Sequence, residues 1–84
     1  MIGSLRGTVL ERSAAATTGE LLLEVGGVGY RVAVPTGTLA LAEPGASFFV
    51  HVHTHVREDA IILYGFGSRD ERACFEALIW HFPC

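Results

Sequence analysis

Three alternate histidines have the most obvious potential for metal chemistry. They are His51, His53 and His55, in the run HVHTHV. On a strand all three would point to one face, and imidazoles at i and i+2 can reach a single zinc ion. A zinc site also needs a ligand from another element and neighbours that orient the rings, and His81 is distant in sequence. The pattern therefore favours a half-exposed strand face, with zinc binding as the alternative. The opposite, inward face would consist of Val50, Val52 and Val56.

Two neighbouring acids, Glu58 and Asp59, follow the histidines at the expected tip of a hairpin. Adjacent side chains diverge, so the pair is poorly placed for glycoside hydrolysis, which needs two carboxyl groups facing one bond. We find no serine or cysteine nucleophile paired with a base, and GGVG lacks the remaining residues of a phosphate-binding loop. We therefore expect no catalytic residue, no cofactor and no resident metal. The tip is either a solvated turn or a fixed negative charge that repels a polyanion.

Composition limits the classes of protein that fit. With 84 residues the chain has room for one domain. Six arginines, no lysine and nine acidic residues give a formal net charge of −3, which argues against a main phosphate-binding surface. No apolar run is long enough to span a bilayer, and the N-terminus lacks the apolar segment of a secretory signal. We expect a cytoplasmic chain in which Cys74 and Cys84 are reduced.

The elements around the tip read as short strands. Ile2–Glu11 suits a strand with bends or bulges, and a small-residue loop is expected at Ser13–Gly19. Alternating apolar residues on both sides of the turn GGVG predict a hairpin, because glycine supplies the positive φ angles of tight turns. The apolar faces of that hairpin are Leu21, Leu23 and Val25, then Tyr30, Val32 and Val34.

The second half of the chain continues the barrel pattern. Thr36–Ala42 is predicted to form a short helix, and Glu43-Pro44-Gly45 to form a turn. Phe48–Val56 and Ala60–Phe66 then form the hairpin that carries the tip. Five strands with a connecting helix predict a mainly β fold, a five-stranded OB-fold barrel, with an SH3-like barrel as the alternative.

A C-terminal amphipathic helix should follow the barrel. Ser68 and Glu71 match a capping box, in which each side chain accepts from the other residue's amide. The apolar stripe behind it consists of Phe75, Leu78, Ile79 and Phe82, spaced as on one helix face. We expect this stripe to be core or an oligomer interface. The expected division is a barrel at residues 1–66 and a helix at residues 67–84.

Exposed aromatic residues offer a second binding hypothesis. OB folds without sequence preference stack bases on aromatic rings, and Phe48, Phe49 and Tyr64 are candidates. Neighbours on a strand face opposite ways, so at least one of the two adjacent phenylalanines should pack in the core. A generic single-strand-binding module is therefore an alternative function.

Four segments together resemble one known family. They are MIGSLRGTVLE, EVGGVGYRV, THVREDAIILYGF and DERACFEALI, in order and with similar spacing over residues 1–80. This combination is similar to the N-terminal domain of the RuvA family, the bacterial Holliday-junction-binding proteins. The resemblance implies an OB barrel that assembles as a homotetramer and binds four-way junction DNA. It also implies a noncatalytic accessory role beside the RuvB ATPase, which drives branch migration in DNA recombination and repair.

The resemblance assigns a role to the tip. In that family the two acids of the Arg-Glu-Asp turn form an acidic pin that repels phosphates and separates strands at the crossover; they correspond to Glu58 and Asp59, with Arg57 as support. Only His53 of the three histidines lies where the family often has one. The family continues into a helix-hairpin-helix domain that holds DNA and a later domain that binds RuvB, whereas this sequence stops at WHFPC. We therefore expect weak or absent junction binding by this chain alone.

Overall fold

The computed structural model describes residues 1–14 and 18–81, with side chains through residue 79. Its elements are β1 (Ser4–Ala14), β2 (Gly19–Val25), β3 (Val28–Val34), α1 (Thr36–Leu39), β4 (Ser47–Val56), β5 (Ile61–Phe66) and α2 (Arg69–His81). The strands form a closed barrel in the order β1-β2-β3-β5-β4. Only the β3–β5 pairing is parallel among the described strands. This arrangement, with α1 between β3 and β4, confirms the predicted mainly β, OB-type barrel.

Strand β1 closes the barrel because it pairs with two strands in succession. Ser4 to Thr8 pair with β4, and Thr8 to Ala14 pair with β2. The register of the second pairing shifts between Val9 and Glu11, which confirms the predicted bulge. Because β1 extends to Ala14 and β2 begins at Gly19, the predicted loop at Ser13–Gly19 is too long; residues 15–17 lie outside the described part.

The β2–β3 hairpin follows the prediction with a tighter turn. Val25 pairs directly with Val28, so only Gly26 and Gly27 form the turn. Their φ angles are 58° and 88°, a region that residues with a Cβ rarely adopt. Two consecutive positive φ angles match the type I′ turn, whose twist suits antiparallel strands. Val28 and Gly29, expected in the turn, belong to β3.

The core fills the barrel with aliphatic side chains. It consists of Leu5, Val9, Leu21, Leu23, Val32, Val34, Leu39, Ala42, Val50, Val52 and Leu63. The predicted inward position of Val56 is wrong, because this residue is 62% exposed. Its side chain has the inward parity of Val50 and Val52, but the β4–β5 hairpin extends beyond the barrel at that point.

Helix α1 lies against the barrel and is shorter than predicted. It ends at Leu39 and is followed by a turn, while Leu39 and Ala42 still pack in the core. Arg12 Nη1 donates to the carbonyl oxygen of Ala42 at 2.8 Å and to that of Leu39 at 3.3 Å. These bonds satisfy carbonyls at the helix end and join it to β1. The predicted turn at Glu43-Pro44-Gly45 is confirmed by the 3.0 Å bond from the Ala46 amide to the Glu43 carbonyl.

Within residues 1–14 and 18–81, no helix combines the length and apolar character needed to cross a membrane.

Candidate functional site

The acidic tip, which we define as residues 57–60, connects β4 to β5. Val56 and Ile61 form the last strand pair, and the amide of Arg57 donates to the carbonyl of Ala60 at 2.7 Å. This bond closes a compact turn. The side chains of Arg57, Glu58 and Asp59 are all exposed. Neither acid has an ion-pair partner among the described residues.

The tip projects from the barrel because β4 and β5 stay paired with each other beyond the point where β1 stops pairing with β4. β1 pairs with β4 only as far as His51, whereas β5 pairs with β4 up to Val56. Val56 and Ile61, on the inward side of the hairpin, are 62% and 69% exposed. The two acids therefore stand exposed at the end of a two-stranded projection. The end of this projection carries two exposed negative charges.

The three histidines lie on the outer face of the same hairpin, as predicted. His51, His53 and His55 are half-buried and pair across the strands with Phe66, Tyr64 and Ile62. Sequence reasoning missed what covers this face, because the covering element is the distant helix α2.

An aromatic cluster joins α2 to the hairpin. The ring of Phe75 lies 5.6 Å from that of His53, 5.0 Å from that of Tyr64 and 5.1 Å from that of Phe66, measured between centroids. Aromatic pairs at such separations stabilise beyond the area that they bury. This outer cluster contains no member of the aliphatic barrel core.

A polar contact accompanies the aromatic cluster. His53 Nδ1 lies 2.8 Å from Glu76 Oε2. The same carboxylate has its other oxygen 3.9 Å from Nε of Arg72, one helical turn earlier. Arg72 Nη1 donates to the carbonyl of Gly3 at 3.3 Å, just before β1. The i, i+4 spacing of Arg72 and Glu76 is visible in the sequence, but their partners on the barrel are not.

The docked face of the helix overlaps the predicted stripe but also includes polar residues. Its half-buried residues are Arg72, Phe75, Glu76 and Ile79. The predicted stripe is correct for Phe75 and Ile79, whereas Leu78 is 48% exposed and is not core. Arg72 and Glu76 lie on the docked face instead of Leu78, because their side chains contact polar groups of the barrel. Phe82 lies outside the described residues, so the fourth member of the stripe stays a prediction.

The start of α2 confirms half of the capping box. The amide of Glu71 donates to Ser68 Oγ at 3.2 Å. The reciprocal bond from the Ser68 amide to the Glu71 carboxylate is not formed in the described structure. The Arg72 amide donates to the Ser68 carbonyl at 3.2 Å, which begins the helix.

The histidines do not assemble a metal site. In the described part of the chain, no three His, Cys, Asp or Glu side chains come together in a way that could hold an ion. Nδ1 of His53 is already directed at Glu76. Cys74 is exposed on α2, and Cys84 lies outside the described residues. The geometry thus gives no support to the zinc alternative.

The three candidate stacking residues are all half-buried and differ in what packs against them. Phe48 packs against the barrel core, and Tyr64 is covered by Phe75. Phe49 faces outward, as the alternation of the strand predicts. The guanidinium of Arg6 lies 5.0 Å from its ring centroid, and the ring of His51 meets it edge-on at 4.9 Å.

Comparison with known proteins gives one consistent family. The family model described as the RuvA N terminal domain matches residues 1–65. A protein of Thioalkalivibrio sulfidiphilus named Holliday junction branch migration complex subunit RuvA is 49% identical over 80 residues, which is 94% of this chain and 38% of that protein. Proteins with the same name from Aeromonas salmonicida and Solibacter usitatus are 49% and 45% identical, again over 94% of this chain and 37% and 39% of their own length.

The chain thus spans less than two fifths of the curated relatives that it matches. The family model covers the chain from residue 1 into β5 and includes the tip, and the 80-residue alignments also take in α2 residues. On the barrel topology and on this similarity, the chain belongs to the RuvA N-terminal domain family.

Proposed function

We propose that this chain acts as the N-terminal, noncatalytic part of a subunit of a Holliday junction branch migration complex, in DNA recombination and repair. Family membership supports this assignment, since the relatives carry that name. The work of the ATPase RuvB, and its contact through a later domain, would belong to other parts of such a complex.

The observation that carries the proposal is the exposed acidic tip. Glu58 and Asp59 stand on a projecting hairpin with no ion-pair partner in the described structure. A carboxylate and a phosphate 4 Å apart repel each other by about 1 kcal/mol in water and by about 4 kcal/mol at an effective dielectric constant of 20. Two acids on one rigid turn would therefore keep phosphates away from one point and guide strands apart.

Charge balance supports a division of labour within such a subunit. The chain carries nine acidic residues against six arginines. Affinity for DNA comes mainly from clustered positive charge, so this domain would shape a junction that other segments hold. We propose that Arg57 orients the turn and that copies of the subunit, as a homotetramer, bring four tips to the crossover. Phe75, Leu78 and Ile79 remain candidates for contacts between copies, with Leu78 the most exposed of the three.

The direct test is a chimera. The 80-residue segment of this chain that aligns with the Aeromonas salmonicida relative would replace the matching segment of that protein. We expect the chimera to bind a synthetic four-way junction and to support branch migration with RuvB, while this chain alone binds weakly or not at all. A folded chimera that binds no junction would contradict the proposal.

A single-strand-binding module is the second candidate function. The observation in its favour is the outward pair of Arg6 and Phe49, because a guanidinium beside an aromatic ring can stack bases and contact phosphates. Titration of this chain with a fluorescent oligonucleotide at low salt discriminates the two functions. Salt-sensitive micromolar binding would favour the single-strand module over the junction-shaping role.

A further inference from the structure

His53 lies where the polar and apolar contacts of α2 meet. Its Nδ1 is 2.8 Å from Glu76 Oε2, and its ring packs at an angle against Phe75. The imidazole is 17% exposed and the Glu76 side chain 35%, so the hydrogen bond is partly shielded from water. Hydrogen bonds to an ionised partner are shorter and stronger than neutral ones, and shielding strengthens them further.

The contact extends from the hairpin to the beginning of the barrel. The Glu76 carboxylate lies between the imidazole of His53 and the guanidinium of Arg72. Arg72 in turn donates to the Gly3 carbonyl, and the Gly3 carbonyl accepts from the amide of Val52 at 2.9 Å on β4. Two of the links from α2 therefore end on β4, the strand that leads to the acidic tip.

Helix α2 also reaches the base of the tip. A groove of about 310 Å³ is lined by His55, Arg57, Tyr64, Phe75 and Ile79. Residues of α2 and the first residue of the tip thus border one space. The barrel core contains no residue of α2, so the aromatic cluster and the polar contacts are what hold this helix to the hairpin.

We propose that His53 is a positioning residue: by donating its Nδ1 hydrogen to Glu76, it fixes α2 to the hairpin that bears the acidic tip. The tip and the helix then keep one relative orientation. The matched segment makes up 38% of the Thioalkalivibrio sulfidiphilus relative, so in such a subunit this orientation would set where the tip stands relative to the rest of the protein. The link to strand separation rests on the proposed function, whereas the docking role does not.

The protonation of the ring gives a direct spectroscopic test. A neutral imidazole has one donor nitrogen and one acceptor nitrogen, and a carboxylate can only accept. Nitrogen NMR of the ¹⁵N-labelled chain should therefore find Nδ1 of His53 protonated at neutral pH. A proton on Nε2 alone would overturn the proposal.

Two substitutions separate the hydrogen bond from ring packing. His53→Phe keeps a ring and removes the donor, whereas His53→Asn places an amide donor near the position of Nδ1. We expect amide exchange in α2 to accelerate about tenfold in His53→Phe, since loss of a bond to a charged group exceeds about 1.4 kcal/mol and that energy is a factor of ten. Exchange in His53→Asn should stay near that of the parent chain, and the strand amides should be unaffected in both.

His51→Ala is the matched control, since it removes an imidazole from the same strand face but not the bond to Glu76. Equal acceleration in His51→Ala, or no rescue by His53→Asn, would overturn the docking role. The link to the tip is tested in the chimera, where His53→Phe should reduce opening of base pairs at the crossover. If amide exchange in α2 accelerates while base-pair opening at the crossover is unchanged, the proposed link between His53 and the tip is wrong. These exchange and NMR readouts involve no DNA, so their failure is distinct from failure of the proposed function.

Discussion

Replacement of Glu58 by Gln and Asp59 by Asn tests the repulsive role of the acidic tip. Both changes keep the shape of the side chain and remove its charge. The two residues are exposed and form no ion pair in the described structure, so the barrel should keep its stability to within about 0.5 kcal/mol. In the chimera, we expect junction affinity to be preserved or to rise, while base pairs at the crossover open less.

The size of the effect follows from the exposure of the tip. Two carboxylates, each 4 Å from a phosphate in water, oppose binding by about 2 kcal/mol, which corresponds to roughly thirtyfold in affinity. At 0.15 M salt the screening length is about 8 Å, and part of this repulsion is screened. We therefore expect a gain of a few-fold at physiological salt, increasing as the salt concentration falls.

Fluorescence anisotropy with a labelled junction at several salt concentrations measures the affinity, and 2-aminopurine at the crossover reports base-pair opening. Glu43→Gln with Asp70→Asn is the matched control, because it removes two exposed acids away from the tip. An affinity that collapses in the tip variant would refute the repulsive role. An equal gain in the control variant would show that total charge, and not the tip, is responsible.

Three further experiments, two of them with a control substitution, test the fold and the second candidate function. Leu21→Ala, at a fully buried site, should lower the free energy of unfolding by about 2–5 kcal/mol in urea denaturation, whereas Leu41→Ala at an exposed site should change it little. Gly65→Ala places a Cβ 2.6 Å from a valine methyl of β3 and should lower the stability of the fold by about 1–3 kcal/mol. Gly37→Ala is the control, because the space around this residue is open. Equal melting temperatures of the two variants would contradict the described packing. Phe49→Ala should leave any oligonucleotide binding unchanged; a salt-independent loss of about 1–3 kcal/mol would favour the single-strand module.

The elements of the barrel could be predicted from local patterns. The turn at Gly26 and Gly27 requires positive φ angles, and the alternation on both sides of it sets the inward faces. The outward histidines and the tip at Glu58 and Asp59 follow from the same alternation along β4. A strand period of two assigns side chains to faces without any knowledge of the partner strand. The family resemblance then suggested a role for the tip that spacing alone left open.

Contacts between distant segments required the tertiary structure. Val56 has the inward parity of its strand and is nevertheless exposed. Only the assembled barrel determines where the β4–β5 hairpin extends beyond the strand that pairs with β4 on its other side. The docked face of α2 includes Arg72 and Glu76 and omits Leu78. Helical periodicity predicts which helix face is the most apolar. Docking also depends on polar partners such as His53, which is 23 residues away from Glu76 in the sequence. The sequence by itself thus determined the strands, the turns and the acidic tip, and folding decided how the helix is held against them.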